Sequence, residues 1–288
     1  MSTIVKNIHI FKNNKWTPIK RVYDGNTWKK MKGIFFEGEW YEIGATCVVM
    51  PDGCAINTTV DPRYDETSAY GIDSFGLGLI PGSQRGVGEI NNGFNQIRNR
   101  LRYGSSTSEE LTYTAMVVDM TNGMIISSTY PKGIGLSIRG VKDYTGSQSN
   151  GTILENDYED GDGNLYDAVA IGEQLWTVKN LHTTKYQSNQ NILNKTDYTD
   201  WQNDVDGAYC WYENDYTTWG QYYGGLYNWF AINNGLIDNN GYRVPSDADW
   251  TQLKNYLINT TWCNGITVTS DNVAQYLKSC RQVNHPLG

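Results

Sequence analysis

The chain has 288 residues, a net charge of −8 and an aromatic share of 13%, with 21 Tyr, 10 Trp and 30 Gly. Large rings pack pleated faces and glycines supply turns, so the composition describes a β- and turn-rich protein long enough for a substantial core. So acidic a chain lacks the basic face that nucleic-acid binding needs, and no stretch approaches the ~18–20 apolar residues of a membrane-spanning helix.

The first 45 residues stand apart. They hold eight Lys and Arg against four Asp and Glu, a basic foot under an acidic remainder. That suits docking onto something acidic, and equally suits a solvated surface. Three twelve-residue units follow one another here: IFKNNKWTPIKR (10–21), VYDGNTWKKMKG (22–33) and IFFEGEWYEIGA (34–45). Each has an apolar pair, a turn (Asn13-Asn14, Asp24-Gly25, Glu37-Gly38), then Trp16, Trp28 or Trp40. Turn dipeptides between apolar runs predict short hairpins. One such unit cannot bury its own ring, so units or subunits are expected to stack, with the three tryptophans as anchor and packing residues. Met1 opens directly into this pattern, without the apolar core of a secretory leader, which points to assembly in the cytoplasm. A removed leader is the alternative.

Further along, 112–119, 124–130 and 133–141 read as three strands of a meander, the first two joined by the turn signal Asn122-Gly123. The segment 104–111 reads as a polar loop, and the Gly-, Ser- and Asn-rich stretch 143–164 as a flexible connection. Residues 165–172 and 173–178 form a second hairpin candidate. Apolar residues at three- and four-residue spacing predict two main helices, over 225–234 and 247–258. The second opens on Ser246 and Asp249, a capping-box pattern. A short helix is expected over 272–279 and a polar loop over 187–207.

No catalytic set emerges. His9, His182 and His285 are scattered. Five cysteines (47, 54, 210, 263, 280) are an odd number without paired zinc spacing, and read as free, partly buried thiols rather than a disulfide framework. The acidic string DYEDGDGNLYD (157–167) resembles half of a calcium loop but lacks the closing Glu, so it reads as a turn before a strand. No metal and no cofactor are expected. Flat rings stack on sugar faces and give large contact area at small entropy cost. Trp201, Trp211, Tyr212, Tyr216, Trp219, Tyr222 and Tyr223 form such a cluster. Tyr216, Trp219, Tyr222 and Tyr223, in the Gly-flanked DYTTWGQYYGG, are the candidates for exposed ligand contacts.

Several strings carry a resemblance. DGDGNLYDAVAIGEQLWTVKNL (160–181), AYCWYENDY (208–216), GGLYNWFAI (224–232) and GYRVPSDADW (241–250) resemble the front of a FISUMP ("major paralogous domain") module. YGIDSFGLGLIPGSQRG (70–86) and IGLSIRGVKD (134–143) resemble its back. That family is similar to C-type-lectin-like and formylglycine-generating-enzyme-like folds. The expected fold is α+β and β-rich: the N-terminal β-hairpin repeats (1–45) read above, then what the resemblance implies, a C-type-lectin-like domain (46–288), with the two main helices. Trp211, Tyr227, Trp229 and Trp250 fall in the family's own strings, which implies core packing for them. The triplets of calcium-dependent sugar-binding lectins are missing, as are the late reactive cysteines of the formylglycine-generating relatives.

The order of the strings is reversed. A back half (46–143), a linker (144–156) and a front half (157–288) suggest circular permutation, with 134–141 lying beside 165–172. Cys47, Pro51 and Gly53 loosely echo Cys280, Pro286 and Gly288, as tandem duplication followed by trimming would leave. A chain cut inside a second domain, or halves completing each other between subunits, are the rival accounts. Trp-bearing repeats like the first 45 residues occur in bacteriophage tail and fibre proteins. The expectation is therefore a virion structural protein, a fibre or decoration, that binds the bacterial surface. Its partners would be other virion proteins at the N-terminal module, a surface glycan or protein at the lectin-like part, and further copies of itself, a trimer first. A bacterial surface or secreted adhesin is the alternative, and an enzyme of the formylglycine-generating class a distant third.

Overall fold

The computed structural model describes residues 8–12, 15–19, 33–36, 39–42, 57–65, 70–86, 90–118, 123–258 and 267–284. Near the N-terminus, β1 (Ile8–Lys12) pairs with β2 (Lys15–Ile19), and β3 (Gly33–Phe36) with β4 (Glu39–Glu42), each two residues apart in the chain. The two hairpins share one register: Phe11 lies opposite Trp16, and Phe35 opposite Trp40. Trp28 and the Asp24-Gly25 turn lie outside the described residues.

The remainder is β-rich with short helices. In chain order come β5 (Gln84–Arg85), β6 (Phe94–Asn95), β7 (Leu101–Ser108), β8 (Thr112–Val118), β9 (Ile125–Pro131), β10 (Gly135–Leu136) and β11 (Val141–Asp143). Then follow β12 (Ile153–Glu159), β13 (Leu165–Ile171), β14 (Gln174–Thr177), β15 (Leu193–Asn194), α1 (Tyr198–Gln202) and β16 (Ala208–Cys210). Last come α2 (Gln221–Tyr223), β17 (Leu226–Tyr227), α3 (Trp229–Asn233), β18 (Asp238–Asn239), β19 (Tyr242–Arg243) and α4 (Asp247–Leu257). Three sheets result, in the orders β15-β16-β17-β10-β5-β6, β12-β13-β14-β11-β19-β18 and β7-β8-β9.

Segments that are distant in sequence interleave in these sheets. β10 is hydrogen-bonded between β17 and β5, and β11 between β14 and β19. Tyr64 bridges Gln282 and Leu79 bridges Lys278, both parallel, and the amides of Ile72 and Ser74 donate to the carbonyls of Gln275 and Tyr276.

Two fully buried arginines tie the same segments. Arg139 donates to the carbonyls of Leu77, Gly78 and Thr177 and to Asn180 Oδ1, at 2.6–2.9 Å. Arg85 donates to the carbonyls of Asn92, Lys195 and Thr196, and its guanidinium lies 4.8 Å from the Phe94 ring centroid and 4.7 Å from that of Trp201. A charge taken out of water persists only where donors are met, and here carbonyl dipoles meet them.

Local chemistry explains where expectation and structure part. The segment 133–141 is not the third strand of the meander. It divides into β10 and β11 in two different sheets, because Arg139 plugs the space between them and a Cβ at Gly135 would stand 2.5 Å from Trp201. The meander's third strand is β7, in the region read as a polar loop. The stretch 143–164 is not a flexible connection throughout, since β12 occupies its second half and pairs with β13. The strand β11 lies against β14, one place removed from 165–172. Turning β12 into β13 is the work of Asp160. Its Oδ1 accepts from the amides of Asp162 and Asn164, both at 3.0 Å, and its Oδ2 from the Tyr166 hydroxyl at 2.6 Å.

The helix over 225–234 shrinks to α3. Asn228 is extended, accepts from the amides of Ala231 and Ala208, and donates to Asp204, so Leu226 and Tyr227 stay in a strand. α4 forms as its capping box predicts, Ser246 and Asp249 satisfying each other's amides. It buries Trp250, Leu253 and Leu257. Trp250 packs on Trp176 with centroids 4.3 Å apart, a ring contact worth about 0.5–1.5 kcal/mol beyond its buried area. A 3₁₀ turn at Val273–Tyr276 replaces the short helix expected over 272–279.

The cysteine reading is corrected in part. Cys210 is a free, buried thiol, but Cys280 is disulfide-bonded. Among the described residues, no helix is long and apolar enough to cross a membrane.

Candidate functional site

The stretch from β16 to β17 takes part in two files of rings, the first leading from the core to the surface and the second running through half-buried Trp219 between buried rings. In the first, Tyr227 stacks near Tyr209 (6.2 Å), Tyr209 meets Trp211 edge-on (5.2 Å), and Trp211 meets Tyr216 edge-on (5.0 Å). In the second, Phe94 packs on Tyr212 (5.4 Å), Tyr212 meets Trp219 edge-on (5.6 Å), and Trp219 lies 6.2 Å from Tyr223. Asp215 brings the files together. Its carboxylate accepts from the Thr218 amide at 2.9 Å, and its carbonyl accepts from the amides of Trp219 and Gly220, which closes a tight turn. A Cβ at Gly220 would stand 2.8 Å from both Trp211 and Tyr216, so only glycine lets those rings meet over the turn.

Polar groups frame the outer ring. The Arg98 guanidinium lies 4.9 Å from the centroid of Trp219, and Trp219 Nε1 donates to Glu213 Oε2 at 3.2 Å. Glu213 and Asn214 both hold left-handed backbone (φ 51° and 59°), uncommon for residues with a Cβ, and this places the Glu213 carboxylate beside the indole. Behind Trp219, Arg98 makes a two-point pair with Asp61, its Nε at 2.8 Å from Oδ1 and its Nη2 on Oδ2. Burial acts to raise the pKa of Asp61, but hydrogen bonds from Arg98 and Tyr223 and the charges of Arg98 and Arg63 outweigh it and hold the carboxyl below its usual range. That same pairing with Asp61 raises the pKa of Arg98.

The four candidate contacts separate. Tyr216 and Tyr222 are exposed (47% and 42%), and Trp219 is half-buried. Tyr223 was expected to be exposed and is not. It is 1% exposed, its hydroxyl donates to Asp61 Oδ1 at 2.6 Å and accepts from the Arg63 amide at 3.0 Å, and burial raises its pKa. Trp201 and Tyr212 are buried, and Trp211 half-buried. Trp16 and Trp40 lie in β2 and β4, and Trp28 outside the described residues. Sequence reasoning missed Arg98, Asp61 and Glu213. Only Glu213, inside the aromatic string, carried a local signal.

Other titratable groups are engaged internally. Asp162 accepts from the Thr184 amide and from the hydroxyls of Thr183 and Thr184; burial opposes these bonds, and they still hold its pKa below the usual value. The hydroxyl of Tyr166 sits 3.0 Å from His182 Nδ1, and burial lowers the pKa of that imidazole. Burial also pushes the Cys210 thiol up to about 12, which keeps it protonated. Among the described residues, no three His, Cys, Asp or Glu side chains converge as a metal site.

The family model of the Fibrobacter succinogenes major domain matches residues 169–286. The match supports a domain of that family over those residues. No curated protein and no solved structure matches the chain. The matched Fibrobacter succinogenes major (FISUMP) domain contains Tyr216, Trp219, Tyr222 and Glu213, while Asp61 and Arg98 come from the segment that precedes it. The aromatic surface is thus completed from outside the matched residues.

Proposed function

We propose that the chain is a recognition protein of a bacteriophage particle, a fibre or fibre-like decoration. A permuted, C-type-lectin-like FISUMP domain would bind a glycan on the bacterial surface, and the N-terminal hairpins would attach or oligomerise it, as a trimer. Its role is binding, with no catalytic step. The observation that carries this reading is the ring surface of Tyr216, Trp219 and Tyr222, where Arg98 and Glu213 offer polar groups beside a partly open indole. Aromatic faces with a few fixed polar groups are what saccharide rings pack against. The test is binding of the full chain to a panel of immobilised bacterial surface polysaccharides, run beside Trp219→Ala. At least one polysaccharide should retain the wild type and release the variant; a panel with no selective retention rejects the reading. Labelling of purified phage particles by an antibody to this chain, followed in the electron microscope, tests the virion assignment separately.

The Cys280 disulfide favours a second reading, a surface or secreted bacterial adhesin, because disulfides persist in oxidising surroundings. Fractionation of a producing bacterium separates the two: recovery in the envelope or medium without phage supports the adhesin.

A further inference from the structure

A groove opens between α4 and the two-residue turn that joins β13 to β14. It measures about 470 Å³, within the about 300–1,000 Å³ of small-molecule clefts. Ile171 and Gln174, each 1% exposed, form its floor. The Gln174 amide is occupied, donating to the Asp249 carbonyl at 3.1 Å and accepting from Trp176 Nε1 at 3.3 Å. Recognition is therefore left to the walls. On α4, Gln252, Asn255 and Tyr256 fall at i, i+3 and i+4 and share one helix face; Glu173 comes from the turn. All four are exposed, and among the described residues no hydrogen bond or ion pair engages the side chains of Glu173, Gln252 or Asn255.

Tyr256 is exposed (43%) and yet held in place. A Cβ at Gly172 (φ 60°) would stand 3.0 Å from Cγ and Cδ2 of the ring, so only glycine lets the ring pack on the backbone of that turn. Asn150, from the segment between β11 and β12, fixes both partners of the contact. Its Oδ1 accepts from the Gly172 amide at 2.8 Å, and its Nδ2 donates to the Tyr256 hydroxyl at 2.6 Å. A free surface ring loses rotamer freedom when a ligand stacks on it; for Tyr256 that freedom is already gone.

We propose that this groove binds a neutral saccharide, with Tyr256 as the ring on which the sugar stacks. A sugar presents an apolar face of C–H bonds and a rim of hydroxyls that both donate and accept. The amides of Gln252 and Asn255 offer both functions, and the Glu173 carboxylate accepts. Among the described residues no cation lines the groove, and Glu173 repels an anionic sugar. This site shares no residue with the surface of Tyr216, Trp219 and Tyr222, and does not rest on that surface recognising a glycan.

The experiment is residue-resolved NMR of the full chain, titrated with the methyl glycosides of glucose, galactose, mannose and N-acetylglucosamine, beside that of glucuronate and a neutral tetrapeptide. At least one neutral glycoside should shift the Gly172 amide and the side-chain amides of Gln252 and Asn255 saturably. Tyr256→Ala should weaken that glycoside by about tenfold, and Gln252→Ala, on an exposed helix face, by about threefold. The glucuronate glycoside should bind more weakly than the glucose one, and Glu173→Gln should close the gap. Absence of shifts at these groups with all the neutral glycosides overturns the proposal, as does binding unchanged in Tyr256→Ala. Should that variant fail to fold, binding unchanged in Gln252→Ala overturns it. Glucuronate binding as tight as glucose overturns the neutral assignment, and tighter binding of the tetrapeptide than of any glycoside overturns the saccharide assignment. The signals followed belong to this groove, so a failure here is distinct from a failure of the polysaccharide panel.

Discussion

Two of the arginines that lie against aromatic rings, Arg85 and Arg98, do so with opposite outcomes. Arg85 is enclosed between Phe94 and Trp201 and bonded to three carbonyls, so nothing is left for solvent or ligand. Arg98 lies against half-buried Trp219 and is paired behind with Asp61, and Tyr216 and Tyr222 of the same aromatic stretch as Trp219 are exposed. The same contact therefore closes the globule in one region and shapes a surface in the other. Whether the donors end on backbone or on a side chain marks the difference. Backbone carbonyls cannot be mutated away or titrated, and they fix distant segments; a carboxylate can be both, and it leaves the ring's outer edge open.

The contrast predicts graded effects. The largest belongs to the enclosed class, where Arg139→Met takes the arginine's hydrogen bonds from the carbonyls of Leu77, Gly78 and Thr177 and leaves Asn180 Oδ1 with the Tyr103 hydroxyl alone. It should cost about 3–5 kcal/mol in urea unfolding. A loss within error would mean that the buried arginines do not hold the interleaved segments. Asp61→Asn comes next, at about 1–2 kcal/mol at neutral pH. The sign with pH follows from the depressed carboxyl: its contribution is present above the ordinary value near 3.8 and is lost as pH falls through the folded value below it. Wild type and Asp61→Asn should thus converge in stability below about pH 4, and a pH-independent gap would show that the charge is not what matters. The smallest effect on stability belongs to Tyr216→Ser, within about 0.5 kcal/mol, since an exposed ring contributes little to folding. Any polysaccharide that the wild type retains should nonetheless be bound about tenfold more weakly by Tyr216→Ser.

Local signals were legible in the sequence, and long-range ones were not. The capping box of Ser246 and Asp249 and the alternation of 112–118 are written within a few residues, and α4 and β8 follow them. β12 escaped notice because ILENDYE carries acids along a sheet edge and is bulged between Leu154 and Tyr158, which hides its alternation. Tyr223 looked like its neighbours in a Gly-flanked aromatic run. Its burial is set by Asp61, 162 positions away. The pairing of Arg98 with Asp61 likewise spans 37 positions, and nothing in either neighbourhood announces it.

The parallel bridges between Tyr64 and Gln282 and between Leu79 and Lys278 have a mechanical consequence. Two segments running the same way, one leading back toward the hairpins and the other onward past residue 282, slide along each other when pulled from those ends. Tension then falls first on the outer contacts of Tyr64 with Arg281 and Val283, and behind them on the hydrogen bonds of Ile72, Ser74 and Leu79, which are loaded in shear instead of being peeled one after another. Such a clasp suits a protein that must hold on while its two extremities are drawn apart.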